Sequence, residues 1–190
     1  PTRRSSDLPV HLAADLLSQA EHDPRARAIM VTTSESLANA VSDEVERQLK
    51  LLPRESIARP AIENNSYIAI MDSIEDMFTV MNEVAPEHLE IQLQDPMNYM
   101  SLVQNAGSVF LGAYASEPLG DYVGGTNHVL PTSGTARFSS PLGVYDFVKR
   151  TSFTQFTKER LEEVAKHITS LARTEGLEAH ARAIEVRFEK

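Results

Sequence analysis

Four apolar runs alternate with amphipathic segments between Ala26 and Gly112, and this alternation constrains the fold more than any other feature of the sequence. Each run is six to eight residues long and nearly continuous in apolar character, as expected of strands that are buried on both faces. The runs are ARAIMVTT, SYIAIMD, EHLEIQL and GSVFLG. Strands that alternate with helices are typical of an α/β protein in which helices cover a parallel sheet.

The segments between and after these runs predict helices. Their apolar residues recur at helical spacing, and a proline or a capping serine marks several of the boundaries. The first helix is predicted from Val10 to His22, where Asp23-Pro24 ends it. Further helices are predicted over residues 34–49, 73–84, 96–104 and 157–173, and a last one begins near Leu177. Residues 144–150 predict one more ordered element, and the last two helices predict a C-terminal helical tail.

A Gly-rich loop is predicted over residues 113–142, which hold four of the eight glycines and three of the ten prolines. A loop of this length inside a compact domain is usually functional or disordered. Ligands of open α/β sheets bind beyond the carboxyl ends of the strands, and this loop directly follows the fourth strand. It carries Asp121 and His128 among its glycines. Because its glycine spacing does not match a nucleotide-binding loop, a mobile turn is the alternative interpretation.

The charge and the cysteine content exclude several classes of partner and site. The net charge is −9, and the Lys and Arg residues are scattered, so binding to nucleic acid or to an anionic membrane surface is not expected. The chain has no Cys, so any metal must be held by nitrogen and oxygen ligands. No apolar run reaches the roughly 18 residues of a membrane span. We therefore expect a soluble, cytoplasmic protein whose partners are small molecules or proteins.

The first eight residues, Pro1–Leu8, have no periodicity and no initiator Met. They correspond to one reading frame of a common sequencing adapter, CCT ACA CGA CGC TCT TCC GAT CTN. We therefore expect this leader to be non-native and the natural chain to continue upstream. A disordered basic tail is the alternative, and the codons of the source DNA distinguish the two.

Glu87 and His88 lie together where the third apolar run begins. A carboxylate and an imidazole in this position are available as neighbouring acid–base groups, and burial can tune each of them toward neutral pH. The alternative is a charged strand end with a half-buried histidine. Adjacent strand residues point to opposite faces, so the two can act together only if the start of the strand is irregular, which Pro86 favours.

Two other pairs could bind an ion or a ligand. Gln19 and His22 are three residues apart on the first predicted helix and project from one face of it. Glu175 and His180 flank Gly176 near the end of the chain. The alternative for the first pair is a surface glutamine with a histidine near a helix C-terminus, where the dipole favours a cation. For the second pair the alternative is a helix break with solvated side chains.

Six segments together resemble the C-terminal half of histidinol dehydrogenase. They are SQAEHDP, VAPEHLEI, AGSVFLG, GDYVGGTNHVLPTSGTARFSS, VYDFVKR and TEGLEAH, with order and spacing kept from about Leu12 to the end, and APEHLE and GTNHVLPT are the most specific blocks within them. The resemblance implies oxidation of L-histidinol through L-histidinal to L-histidine, the last step of histidine biosynthesis, with reduction of two NAD. It also implies a zinc-dependent homodimer.

The resemblance implies roles for eight residues of this chain. Glu87 and His88 match the proton acceptors: His88 would take the hydroxyl proton, and Glu87 would activate the water that hydrates the aldehyde. The implied zinc ligands, which also contact substrate, are Gln19, His22, Asp121 and His180. Three residues match further positions that contact the substrate in the family: His88, His128 and Glu175. The tail that bears Glu175 and His180 would reach into the active site of the partner subunit.

In outline, we expect an α/β fold with an incomplete, Rossmann-like parallel sheet covered by helices and followed by a C-terminal helical tail. The expected parts are a leader over residues 1–8, a zinc- and substrate-binding domain over 9–150 and a dimerisation tail over 151–190. The upstream half, which would supply most NAD contacts, is absent, so the 190 residues alone are expected to be inactive. The alternatives are a zinc hydrolase that uses Glu87 as its base and a non-catalytic metal-binding dimerisation module.

Overall fold

The computed structural model describes residues 8–189. Almost all of the predicted leader, residues 1–7, lies outside the described residues, and Leu8 is the first residue of a helix. The chain divides into two compact units between Phe147 and Val148, and each is described by itself.

The part of the first unit that the structure describes contains four short parallel strands. They are β1 (Ile29–Thr32), β2 (Tyr67–Ile70), β3 (His88–Ile91) and β4 (Ser108–Leu111). Strand β1 pairs with β2 in register Ile29 to Tyr67, and β3 pairs with β4 in register His88 to Ser108. The predicted strands and their parallel direction are therefore confirmed. Among the described residues, however, they form two separate two-stranded sheets rather than one sheet.

The helices of the first unit cover these sheets. They are α1 (Leu8–Ala20), α2 (Glu35–Leu49), α3 (Glu55–Asn65), α4 (Ile74–Val84) and α5 (Glu117–Tyr122). One core cluster joins α1, α2 and α3 to β1 and includes the fully buried Val41 and Leu49. A second cluster joins α4 to β3 through Phe78, Leu89 and Ile91. The first unit is thus a helix-rich mixed structure with a separate core around each sheet.

Two features of this unit differ from the sequence prediction. Helix α3 was not predicted, because Pro60 lies inside it and its buried face consists of small residues, Ala58 and Ala61. The helix predicted over residues 96–104 is a 3-10 helix over Pro96–Leu102. Asp95, which precedes it, has a left-handed backbone.

The long loop also differs from its prediction. Helix α5 and a 3-10 turn at Thr135–Arg137 lie within the segment predicted to be loop. The ordered element predicted over residues 144–150 is only a 3-10 turn, Val144–Asp146.

Strands β1 and β3 border one cavity of about 1000 Å³. Its lining includes the consecutive residues 28–32 and 88–93. Successive strand residues point to opposite faces of a sheet. Because every residue of both strands lines this cavity, the cavity runs along the edges of the strands and not over one face. Apolar side chains from α1 and α4, including Leu12, Leu16 and Met77, complete the lining. The cavity therefore lies along one edge of each sheet.

The second unit consists of α6 (Lys158–Thr174) and α7 (Glu178–Glu185). Thr157 caps α6, and Gly176 has a φ of 75°, a left-handed conformation that reverses the chain between the two helices. Arg173 forms ion pairs with Glu178 and Glu185 across this turn. The predicted helical tail is present as a helical hairpin. Within residues 8–189, no helix is long and apolar enough to cross a membrane.

Candidate active site

Glu87 and His88 lie at an irregular start of β3. Ala85 ends α4 with a φ of 50°, in the left-handed region, although it is not a glycine and is buried. Pro86 follows, and the ladder of β3 begins at His88. The carbonyl of Glu87 accepts a hydrogen bond of 2.8 Å from the backbone N–H of Ser108. The backbone thus turns sharply just before the acid–base pair, and both side chains line the same cavity.

Gly107 allows the backbone before β4 to pass close to Glu87. A Cβ at this position would lie 2.6 Å from the carbonyl oxygen of Glu87, which is shorter than real Cβ contacts. The N–H of Gly107 donates to the carbonyl of Pro86 at 2.9 Å. Only a residue without a side chain fits here, so Gly107 helps to fix the backbone that carries the acid–base pair.

The imidazole of His88 is largely enclosed. Its side chain is 17% exposed, and its ring centroid lies 6.2 Å from that of Phe110 on β4. Burial is the main cause that lowers the pKa of His88, because it disfavours the charged imidazolium. The negative charges of Glu87 and Asp121 oppose this shift, whereas the charge of His22 adds to it. The net effect favours a neutral imidazole, the form that accepts a proton.

Helix α5 brings to the site a residue that the sequence patterns do not single out. Glu117 is 7% exposed, and its Oε1 lies 3.8 Å from Nε2 of His88. Burial raises the pKa of Glu117 to about 7, and the charge of Asp121 and a hydrogen bond with that side chain add to the shift. The segment SEPLGD is the sequence signal for this helix, because Ser-Glu-Pro is typical of a helix start. Glu117 and Asp121 are four residues apart in it, so they lie on one face of the helix.

Gly120 sets how closely α5 approaches β4. A Cβ on Gly120 would lie 2.8 Å and 2.9 Å from two ring carbons of Phe110. The N–H of Glu117 donates a 2.8 Å hydrogen bond to Oε1 of Glu90 on β3. The helix is therefore fixed against both strands of the second sheet, and this places Glu117 and Asp121 beside His88.

Gln19 and His22 come from the end of α1. The helix ends at Ala20 rather than at His22, so only Gln19 is helical, and His22 lies in the turn before Asp23-Pro24. Gln19 lines the cavity that also borders Glu87, His88 and Glu117. His22 is close enough to His88 for its charge to affect the pKa of that residue. Residues from α1, β3 and α5 therefore meet in one region of the first unit.

The three other predicted site residues have exposed side chains. His128 is exposed and does not line the cavity. Glu175 follows the last residue of α6, and His180 lies in α7; both are exposed and belong to the second unit.

His88, Glu117 and Asp121 offer ligand atoms that all lie within 4.8 Å of one another. Of these three, only Asp121 belongs to the ligand set that the resemblance implies. Imidazole nitrogen and carboxylate oxygen suit Zn²⁺ and other borderline divalent ions. The site can therefore combine a neutral imidazole base, a buried carboxyl group and a carboxylate that can bind a cation.

Comparisons with known proteins agree with one another. The family model for histidinol dehydrogenase matches residues 4–188. A histidinol dehydrogenase from Lactiplantibacillus plantarum is 68% identical over 181 residues, 95% of this chain and 42% of the relative. One from Streptococcus mutans is 62% identical over 96% of this chain and 43% of the relative.

A solved structure gives the same result. The crystal structure of histidinol dehydrogenase from Elizabethkingia anophelis matches with a TM-score of 0.81 and 41% identity, and the match covers 95% of this chain and 41% of that one. The chain thus spans about two fifths of the length of these relatives. By sequence and by structure, the chain belongs to the histidinol dehydrogenase family.

Proposed function

We propose that this chain is the part of a histidinol dehydrogenase that carries its acid–base and metal-binding residues, and that the whole enzyme oxidises L-histidinol through L-histidinal to L-histidine. The proposal depends most on one observation. Glu87 and His88 share a cavity with Gln19, while the charges of His22 and Asp121 both act on His88. This grouping of five residues supports the proposal, because the resemblance assigns all five to one active site.

His88 is the proposed base for the alcohol oxidation. Its burial favours the neutral imidazole, so it can take the hydroxyl proton of the substrate near neutral pH. Glu87 is the proposed base for the second oxidation, in which it removes a proton from the water that adds to the aldehyde. The irregular backbone at Ala85 and Pro86 supports this division of roles, because it lets two sequence neighbours serve one cavity.

A zinc site fits the donor groups in this region. The proposed ligands are the Gln19 amide, the His22 imidazole, the Asp121 carboxylate and the partner subunit's His180. These are nitrogen and oxygen donors, as a chain without Cys requires. When bound, zinc would supply a Lewis acid that orients the imidazole and amino nitrogens of the substrate. Asp121 lies one helical turn from Glu117 and beside His88, so a substrate held there would be within reach of the base.

The proposed enzyme is a cytoplasmic homodimer. His128, Glu175 and His180 are proposed to contact the substrate, and the helical hairpin of the second unit would carry Glu175 and His180 into the partner's site. The exposure of all three side chains supports this, because none of them is engaged in a core.

NAD is the proposed acceptor of both hydrides, and most of its contacts would come from the part of the enzyme that this chain does not span. The cavity along β1 and β3 supports this proposal.

We infer that the two sheets are parts of one Rossmann-like parallel sheet, with a strand from upstream filling the space between β1 and β3. Parallel sheets are normally buried on both faces, and isolated two-stranded sheets are marginally stable.

The two alternatives are not favoured. A zinc hydrolase or a metal-binding module would be compatible with the donor groups, but the relatives that match over 95% of this chain are dehydrogenases by name. Hydrolysis of esters or amides without NAD would favour the hydrolase.

The test uses what we call the completed enzyme, in which this chain is joined to the upstream part of its Lactiplantibacillus plantarum relative. NADH formation with L-histidinol is measured with and without a metal chelator. The proposal expects two NADH for each histidinol oxidised, and loss of activity with the chelator that added Zn²⁺ restores. Absence of histidinol-dependent NADH from a folded completed enzyme would refute the proposed function.

A further inference from the structure

Glu117 is a buried carboxyl group that the proposed chemistry does not use. It lies in the first turn of α5 and is 7% exposed. Burying a carboxyl group costs free energy unless other groups satisfy it, and an apolar side chain of the same size would avoid that cost. A role in packing alone therefore does not explain a carboxyl group at this position.

The surroundings of Glu117 connect two elements of the proposed site. Its Oε1 lies 3.8 Å from Nε2 of His88, and Asp121 lies one helical turn further along α5, on the same face of the helix. The ligand atoms of these three residues lie within 4.8 Å of one another. Glu117 is thus in contact with the proposed base and with a proposed metal ligand at the same time.

The backbone of Glu117 is itself held in place. Its N–H donates to Glu90, which lies on β3 two residues after His88. The other end of α5 is fixed by the close packing of Gly120 on Phe110. A side chain on such a fixed backbone can orient its neighbours, because it has little freedom to move with them.

We propose that Glu117 is a positioning residue, whose side chain holds the Asp121 carboxylate and the His88 imidazole through polar contacts, so that the metal ligand and the base face the same substrate. This inference rests on the proposed function. Groups that orient metal ligands in this way typically change metal affinity or activity about 10–100-fold when they are replaced.

Two substitutions of similar size separate positioning from packing. Glu117→Gln keeps a group that can hydrogen-bond to Asp121, whereas Glu117→Met keeps only the volume and the apolar packing. Both are made in the completed enzyme. The readouts are Zn²⁺ affinity, measured by competition with a chromogenic chelator, kcat and KM for L-histidinol, and the midpoint of thermal unfolding.

We expect Glu117→Gln to stay within about threefold of the unmodified enzyme in Zn²⁺ affinity and kcat. Glu117→Met should lose about tenfold or more in both without a lower unfolding midpoint. Unchanged affinity and kcat in Glu117→Met would overturn the inference, because packing would then suffice. Equal losses in both variants would also overturn it, because a polar side chain of the same shape would then not be sufficient for positioning. If the unmodified completed enzyme did not oxidise histidinol, the proposed function would fail, and the Zn²⁺ affinities alone would still decide the role of Glu117.

Discussion

Nε2 of His88 lies 3.8 Å from Oε1 of Glu117, although the two residues are 29 positions apart and belong to different kinds of element, a strand and a short helix. This contact joins the two parts of the site that the sequence keeps separate. His88 belongs to the proposed acid–base pair at the start of β3, and Glu117 shares α5 with Asp121. The surroundings of His88 and of Asp121 therefore depend on how α5 packs against β3 and β4.

The raised pKa of Glu117 predicts a specific dependence of stability on pH. The folded chain holds this proton up to a pKa of about 7, compared with 4.5 for the ordinary group, so the folded state binds it more tightly than the unfolded state does. The resulting stabilisation is fully present below pH 4.5 and is lost as pH rises through about 7.

Glu117→Gln removes this titrating group and provides the reference. Chemical unfolding of both chains from about pH 4.5 to 8 should show the unmodified chain losing stability relative to Glu117→Gln as pH rises. Other carboxylates titrate in both chains, so the difference between them isolates Glu117. If the difference in the free energy of unfolding between the two chains stayed constant over this pH range, the raised pKa of Glu117 would be contradicted.

Gly107→Ala should destabilise the chain and disturb the acid–base pair. The new Cβ would lie 2.6 Å from the carbonyl oxygen of Glu87, so the backbone of β3 or β4 must move. We expect a loss of about 1–3 kcal/mol in the free energy of unfolding. Gly143→Ala is the matched control, because its Cβ meets nothing closer than 3.9 Å. Equal stability of the two variants would show that the close approach at Gly107 is not required.

Gly120→Ala tests the docking of α5 on β4. Its Cβ would approach the Phe110 ring to 2.8 Å, so the helix should move away and take Asp121 with it. In the completed enzyme we expect Zn²⁺ affinity and kcat each to fall by about tenfold. Phe110→Leu in the same chain makes room for the methyl group and should recover part of both losses. No recovery in the double variant would indicate that the ring is not the obstacle.

The 190 residues alone should not produce NADH from L-histidinol. The edges of β1 and β3 border a large cavity, and the chain spans only about two fifths of the length of its relatives. Co-expression with the separate upstream part of the Lactiplantibacillus plantarum relative should yield a complex that co-purifies and is active. NADH formation by the purified chain without that part would contradict the proposal that the upstream part supplies the cofactor contacts.

The sequence was most informative where a pattern was local. Apolar runs located the four strands of the described residues, and the position of Glu87 and His88 beside Pro86 identified the irregular start of β3. The division into two sheets could not be predicted, because the pairing of strands depends on which neighbours are present and not on the strand itself. Helix α3 was hidden by Pro60.

Glu117 shows most clearly what sequence alone could not supply. Helix α5 is short and contains both a proline and a glycine, so it was assigned to the loop. Its burial depends on Gly120 packing against Phe110 and on the hydrogen bond to Glu90, which are tertiary contacts. The ligand set was expected only through the resemblance, since a glutamine and a histidine three apart are common on helix surfaces.

The separate roles of His88 and Glu87 can be measured most directly by assaying the two oxidations one at a time in the completed enzyme. NADH formation is followed from L-histidinol and, independently, from L-histidinal, for His88→Asn and for Glu87→Gln. His88→Asn should lose about 10²–10⁴-fold in kcat with L-histidinol and much less with L-histidinal, whereas Glu87→Gln should show its main loss with L-histidinal. If both variants kept full activity with both substrates, or if the pattern of losses were reversed, the account of this site would be contradicted.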